Sequence, residues 1–221
     1  MWPGMFNQEE PFQTFDGAIQ ACNQSLKFLQ VDEIDLYLIH NPFAKENRLE
    51  LWEAMVELKK QGKVKHIGVS NYNINHIQEI EKAGIEMPAA NQIEIHPWHV
   101  VSKSLAEYMD KNEILPIAYS TLAPIPNWRE GSRWNGKPED MKSGAMPCED
   151  IANKYAVTVP QLFLKWAIQL GYPVLPKSVK YDRLKENLSL DHFEISIDDM
   201  TSISNIAIDN QKCLAWSGDF D

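Results

Sequence analysis

Apolar side chains fall at Phe12, Phe15, Ile19, Cys22, Leu26 and Leu29, in steps of three and four residues. That spacing predicts one face of a helix. The next apolar stretch, Ile34-Asp35-Leu36-Tyr37-Leu38-Ile39, is short, stops at His40 and is followed by Pro42. It reads as a buried strand. Leu49, Trp52 and Val56 return to helical spacing, and Gly62 supplies a terminator. The alternation then continues with a strand at 66–69, a helix from the cap Asn73 to Ala83, and a strand at 89–93. A helix at 102–111 and a strand at 114–119 follow. Residues 121–145 carry Pro124, Pro126, Gly131, Gly136, Pro138 and Gly144, the composition of a long functional or mobile loop. Beyond it the pattern predicts a helix at 148–155 and a longer one capped by Thr158, with Pro160 in its first turn and Gly171 closing it. A strand at 172–175, a short helix at 181–188 and a last helix capped by Ser196 and running to Ile206 complete the chain.

About five strands separated by helices imply an α/β protein with a parallel sheet and right-handed crossovers. An open doubly wound sheet and a TIM barrel both satisfy the alternation. No G-x-G-x-x-G stretch is present, so the usual dinucleotide fingerprint of the open sheet is missing. Polar residues stand directly after the strands: His40, Ser70-Asn71, Gln92, Ser120 and Lys177-Ser178. A barrel with its site at the strand C-termini has that arrangement, and an open sheet accommodates it too. Pattern alone leaves both open.

Charge narrows the partners. The 221 residues carry a formal charge of −10, which opposes nucleic acid binding. Against that background Lys177, Lys180, Arg183 and Lys185 put four cations into nine residues, just after a predicted strand. Such a run is ordinarily a solvated face, but a phosphate here would gain charge-assisted bonds and a helix N-terminus. Three cysteines without C-x-x-C spacing point to free thiols in a reducing, cytoplasmic setting. No apolar stretch approaches ~18 residues, and the N-terminus lacks signal-peptide character, so no membrane partner is expected. His66, His76, His96, His99 and His192 offer no trio with metal-ligand spacing, and no metal is expected.

Five blocks resemble the aldo-keto reductase family, in order and with similar gaps. They are Asp35-Leu36-Tyr37-Leu38-Ile39-His40, the stretch from Gly62 through Gly68-Val69-Ser70-Asn71, Asn91-Gln92-Ile93-Glu94-Ile95-His96-Pro97, Ala118-Tyr119-Ser120, and Pro176-Lys177-Ser178 with Arg183, Glu186 and Asn187. The resemblance implies a partial (β/α)8 TIM barrel, one domain over residues 1–221 that lacks the family's N-terminal strands, and NADPH-dependent reduction of an aldehyde or ketone. It implies that His40 polarises the substrate carbonyl, with Trp2 and Asn41 lining the substrate pocket. Ser70, Asn71 and Gln92 would hold the nicotinamide carboxamide, and Tyr119 would stack on the ring. Ser120 and Leu122 would follow the pyrophosphate, Lys177, Ser178 and Arg183 would grip the 2′-phosphate, and Glu186 and Asn187 would bind adenine.

The family's reaction also uses a tyrosine acid, a lysine that lowers its pKa and an aspartate. Of that tetrad only His40 has a counterpart, and the expected source of the other three is a segment ahead of Met1. The expectations are therefore a carbonyl reductase whose activity as this short chain alone is doubtful or, alternatively, an inactive nucleotide-binding or regulatory subunit of the same fold. Open sheet edges would favour self-association.

Overall fold

The computed structural model describes residues 13–125, 148–211 and 213–215. The alternation predicted above is present: α1 (Phe15–Leu29), β1 (Ile34–Ile39), α2 (Arg48–Lys60), β2 (Val64–Ser70), α3 (Ile74–Lys82), β3 (Ala90–Glu94), α4 (Lys103–Lys111) and β4 (Leu115–Tyr119). Four helices follow: α5 (Glu149–Lys154), α6 (Val159–Gln169), α7 (Tyr181–Leu188) and α8 (Ile197–Asn210). The strands stand in the order β1-β2-β3-β4. The pairs β1–β2 and β2–β3 are parallel, with Leu38 opposite Gly68 and Ser70 opposite Gln92. Where a fifth strand is expected there is one parallel bridge, Ala118 to Val174. Ala118 N donates to Pro173 O and Leu175 N to Ala118 O. Pro173 and Pro176 flank this segment, and neither has an N–H with which to extend a ladder.

Local chemistry sets the helix ends. Thr14 accepts from Gly17 N at the start of α1, and Gln30 closes that helix in the left-handed region. Asn73 and His76 form a reciprocal capping box on α3, as do Thr158 and Gln161 on α6. Ser196 accepts from Asp199 N, and α8 runs past the predicted end at Ile206 to Asn210. The apolar stripe read along α1 is shifted in the fold. Gly17, Ala18 and Cys22 are buried, while Leu29 is exposed at the helix end.

The described chain divides into two compact units. In the first, whose described residues are 13–93 and 103–116, the core gathers Ile39, Leu51, Trp52, Met55, Leu58, Ile67, Val69 and Ile77. Trp52 Nε1 donates to Glu86 O at 2.7 Å, so its one polar atom is satisfied. In the second unit, whose described residues are 94–102, 117–125, 148–211 and 213–215, α6 is buried nearly all round, through Leu162, Phe163, Leu164, Trp166 and Ala167. Even Lys165 is buried there, its ammonium 2.7 Å from Glu194 and over the Phe193 ring.

Candidate functional site

In the first unit the polar residues at the C-terminal ends of β1 and β2 bond to one another and to Gln92, which lies within β3 opposite Ser70 rather than after the strand as expected. Parallel pairing puts those ends on one edge of the sheet. Ser70 Oγ donates to Gln92 O at 2.7 Å, and Asn71 N donates to the same carbonyl at 3.0 Å. Asn71 Nδ2 donates to His40 O at 3.1 Å and to Ser70 Oγ at 3.2 Å. Ser70 and Asn71 are buried, and His40 and Gln92 are half-buried. Asn71 reaches both strands because its backbone turns into the left-handed region, φ 61°, which asparagine tolerates better than most residues. Burial pushes the His40 imidazole below its ordinary value, so it is neutral at neutral pH. The neighbouring Asn41 is fully buried. Its Oδ1 accepts from Phe43 N at 3.1 Å, while its Nδ2 meets no acceptor among the described residues.

The second unit carries two further groups of predicted residues. Tyr119 ends β4 and is half-buried, its carbonyl accepting from Ile95 N at 3.2 Å. Ser120 follows at φ 55° and opens a tight turn in which Ala123 N bonds Ser120 O and Ile125 N bonds Leu122 O. The other group leads into α7. Lys177, Lys180 and Arg183 are exposed and make no ion pair among the described residues. Ser178 Oγ accepts from Lys180 N at 3.1 Å, holding a turn directly ahead of the helix. The helix itself starts at Lys180 with no side-chain cap, so its first N–H groups and positive dipole end stand beside those cations. Glu186 is tied by its carboxylate to Thr158 Oγ1 and by its carbonyl to Gln161 Nε2, and Asn187 is buried. Both residues thus have a structural employment in addition to the expected one. Trp2 lies outside the described residues, as does the loop from 126 to 147.

Sequence reasoning gave no role to Glu94 and left His96 without function, yet they form the most buried ionisable pair of the second unit. Glu94 and His96 are wholly buried, with Oε1 and Nε2 2.9 Å apart. Burial alone would raise the Glu94 carboxyl. Hydrogen bonds from His96, Cys213 and Leu214 outweigh it and hold the group well below the ordinary range. Burial is likewise the main cause lowering His96, as it is for His76 and His40. The i, i+2 spacing of Glu94 and His96 at a strand end was the available signal.

These shifts share one sign. A histidine with a depressed folded pKa is neutral in the fold but binds a proton when unfolded, so stability falls as pH drops below the ordinary value of about 6.5. A carboxylate with a depressed folded pKa contributes stability that is complete above about 4.3 and is lost as pH falls from there toward the folded value. The expected result is a urea midpoint that declines steadily from pH 7 to pH 4. An unchanged or higher midpoint at pH 4.5 would contradict these assignments.

The family model described as the Aldo/keto reductase family matches residues 11–208. The glyoxal reductase of Bacillus subtilis (strain 168) is 33% identical over 207 residues, covering 94% of this chain and 68% of that protein. Methylglyoxal reductase DkgA of Escherichia coli (strain K12) is 34% identical, covering 85% of this chain and 63% of that one. The fold superposes on the crystal structure of a Bombyx mori aldo-keto reductase in complex with NADP. The TM-score is 0.74 and the identity 29%, over 91% of this chain and 66% of that one. The chain spans between about three fifths and two thirds of the length of the curated relatives it matches.

Proposed function

The chain belongs to the aldo/keto reductase family, and from that premise we propose that it takes part in NADP(H)-dependent reduction of an aldehyde or ketone, its two units being parts of one catalytic domain. The observation that carries the cofactor choice is the set of cations at the start of α7, Lys177, Lys180 and Arg183, which make no ion pair among the described residues. Lys177 and Arg183 hold charge that an anion would use, and the uncapped helix start offers backbone donors to the same anion. The 2′-phosphate that distinguishes NADPH from NADH fits this chemistry.

The cofactor, when bound, supplies the hydride. The chain's own residues would do the rest. Ser70, Asn71 and Gln92 present the donors and acceptors that a carboxamide requires, on a frame already fixed by their mutual hydrogen bonds. Tyr119 offers its ring as a stacking platform, Ser120 and Leu122 would follow the pyrophosphate, and Ser178, Glu186 and Asn187 would complete the adenosine end. His40, neutral at physiological pH, would donate an N–H to the substrate carbonyl oxygen and favour the charge that develops there. Asn41 Nδ2, without an acceptor among the described residues, is the donor that would face a second oxygen of the substrate. The similarity to glyoxal and methylglyoxal reductases supports small oxo-aldehydes as the substrates to try first. A cytoplasmic setting accords with three free cysteines.

Losing a charged hydrogen bond costs about 1.5–3 kcal/mol. Arg183→Ala should therefore weaken NADPH binding about tenfold or more, with NADH binding nearly unchanged. Fluorescence titration of both cofactors against both proteins checks this. Equal losses for NADPH and NADH would refute the 2′-phosphate assignment.

A further inference from the structure

After α8 ends, the chain returns to the loop that follows β3, and all the contacts lie within the second unit. Cys213 Sγ donates to Glu94 Oε2 at 2.9 Å, Leu214 N to Glu94 Oε1 at 2.6 Å, and Ala215 N to the same oxygen at 2.9 Å. Two consecutive backbone N–H groups converging on one oxygen form an anion nest, here closed around a carboxylate of the chain itself. Gln211 Nε2 adds a longer bond to Val100 O at 3.5 Å.

The receiving side is rigid. His96 and His99 exchange backbone bonds at 3.0 and 2.8 Å, and His99 Nδ1 lies 2.9 Å from Glu94 O. His96 Nδ1 accepts from Trp98 N at 3.2 Å, so the ring proton is on Nε2 and is donated to Glu94. Glu94 is thus held from its own strand end as well as by residues 213–215.

We propose that Glu94 is the latch of a C-terminal strap: its buried carboxylate seats residues 213–215, and the strap opens and closes as a local unit without unfolding the core beneath it. The two sides of the contact are unequal. Glu94 is wholly buried, while Cys213, Leu214 and Ala215 are half-exposed. On opening, the strap's donors pass to water at little cost. The carboxylate gives up the three strap donors together and retains the bond from His96. The closed state therefore depends on the charge of one side chain, since bonds to an ionised acceptor are the strong ones. Removing that charge weakens all three together. Local opening of this kind is measurable apart from global unfolding.

The experiment uses the full chain and reads the alkylation rate of Cys213 by iodoacetamide, resolved by peptide mass spectrometry. Amide exchange of the peptide across 213–215 is followed in parallel, with the α6 peptide around Phe163–Ala167 as the reference for the core of the same unit. Glu94→Gln should raise the Cys213 rate at least tenfold and expose the 213–215 amides, with α6 exchange unchanged. Ala215→Pro attacks the contact from the other side. It removes one strap donor and leaves Glu94 and His96 intact, and it should raise the Cys213 rate several-fold. If Glu94→Gln does not fold, Ala215→Pro decides alone. An unchanged Cys213 rate in a folded variant overturns the latch, and so does a rise matched by equal acceleration of α6 exchange.

Discussion

Gly68→Ala is expected to lower stability by about 2–3 kcal/mol or more, at the upper end of the range for overpacking, because the added atom has no room and its neighbours cannot yield. A Cβ at this position would lie 2.6 Å from Ala90 O and 2.7 Å from Leu38 Cδ2. The Leu38 side chain can rotate, but Ala90 O belongs to the backbone of the neighbouring strand. Moving it disturbs the register in which Val69 faces Asn91 and Ser70 faces Gln92. For a chain of this size the loss corresponds to roughly 5–10 °C in melting temperature. The damage would also reach the candidate site, since Ser70 Oγ and Asn71 N both bond Gln92 O just beyond the insertion point. NADPH binding should therefore weaken along with stability. Gly62→Ala is the control. Nothing lies within 4 Å of a Cβ there, and its cost is confined to the left-handed backbone, φ 70°, at about 1 kcal/mol. Equal melting temperatures for Gly68→Ala and wild type would show that β2 and β3 do not approach as described.

Much of this architecture was legible because the relevant signals are local. Asn73 and Thr158 each stand three residues before a side chain that can reach back, and both helices begin there. The short helix at 181–188 follows from its spacing alone. The fifth strand was not legible, because an apolar run between two prolines reads as a strand while the prolines remove the donors a ladder needs. The outward turn of Leu29 depends on what packs against α1 at its end, which helical periodicity does not record.

The candidate site divides along the same line. Residues placed by strand ends were legible: His40, Ser70 and Asn71 follow or close β1 and β2, and in the fold they bond to one another and to Gln92, which sits inside β3 and not after it. The second bond of Glu186, to Thr158, joins residues 28 apart and left no trace in the sequence. The seat of residues 213–215 on Glu94 spans about 120 positions and was equally hidden. Contacts of that separation are set by how helices and strands pack, and a single sequence carries no pattern for them.

On the proposed reading the chain holds NADPH and orients the carbonyl, and His40 is its one counterpart to the family's catalytic tetrad. Hydride addition places negative charge on the carbonyl oxygen, which must then be protonated. General acid catalysis of that step is typically worth ~10²–10⁴-fold. His40 could donate a proton, but burial lowers its pKa and leaves little of the charged acid at neutral pH. The most direct test follows loss of NADPH absorbance with glyoxal as substrate, for the purified 221-residue chain and for Bacillus subtilis glyoxal reductase side by side, with NADPH affinity measured separately by fluorescence. The chain is expected to bind NADPH, to lose affinity on Arg183→Ala, and to turn glyoxal over at least ~10²-fold more slowly than that relative. Turnover by the chain alone at a rate matching that relative would contradict this reading, because a residue within these 221 would then have to be the acid.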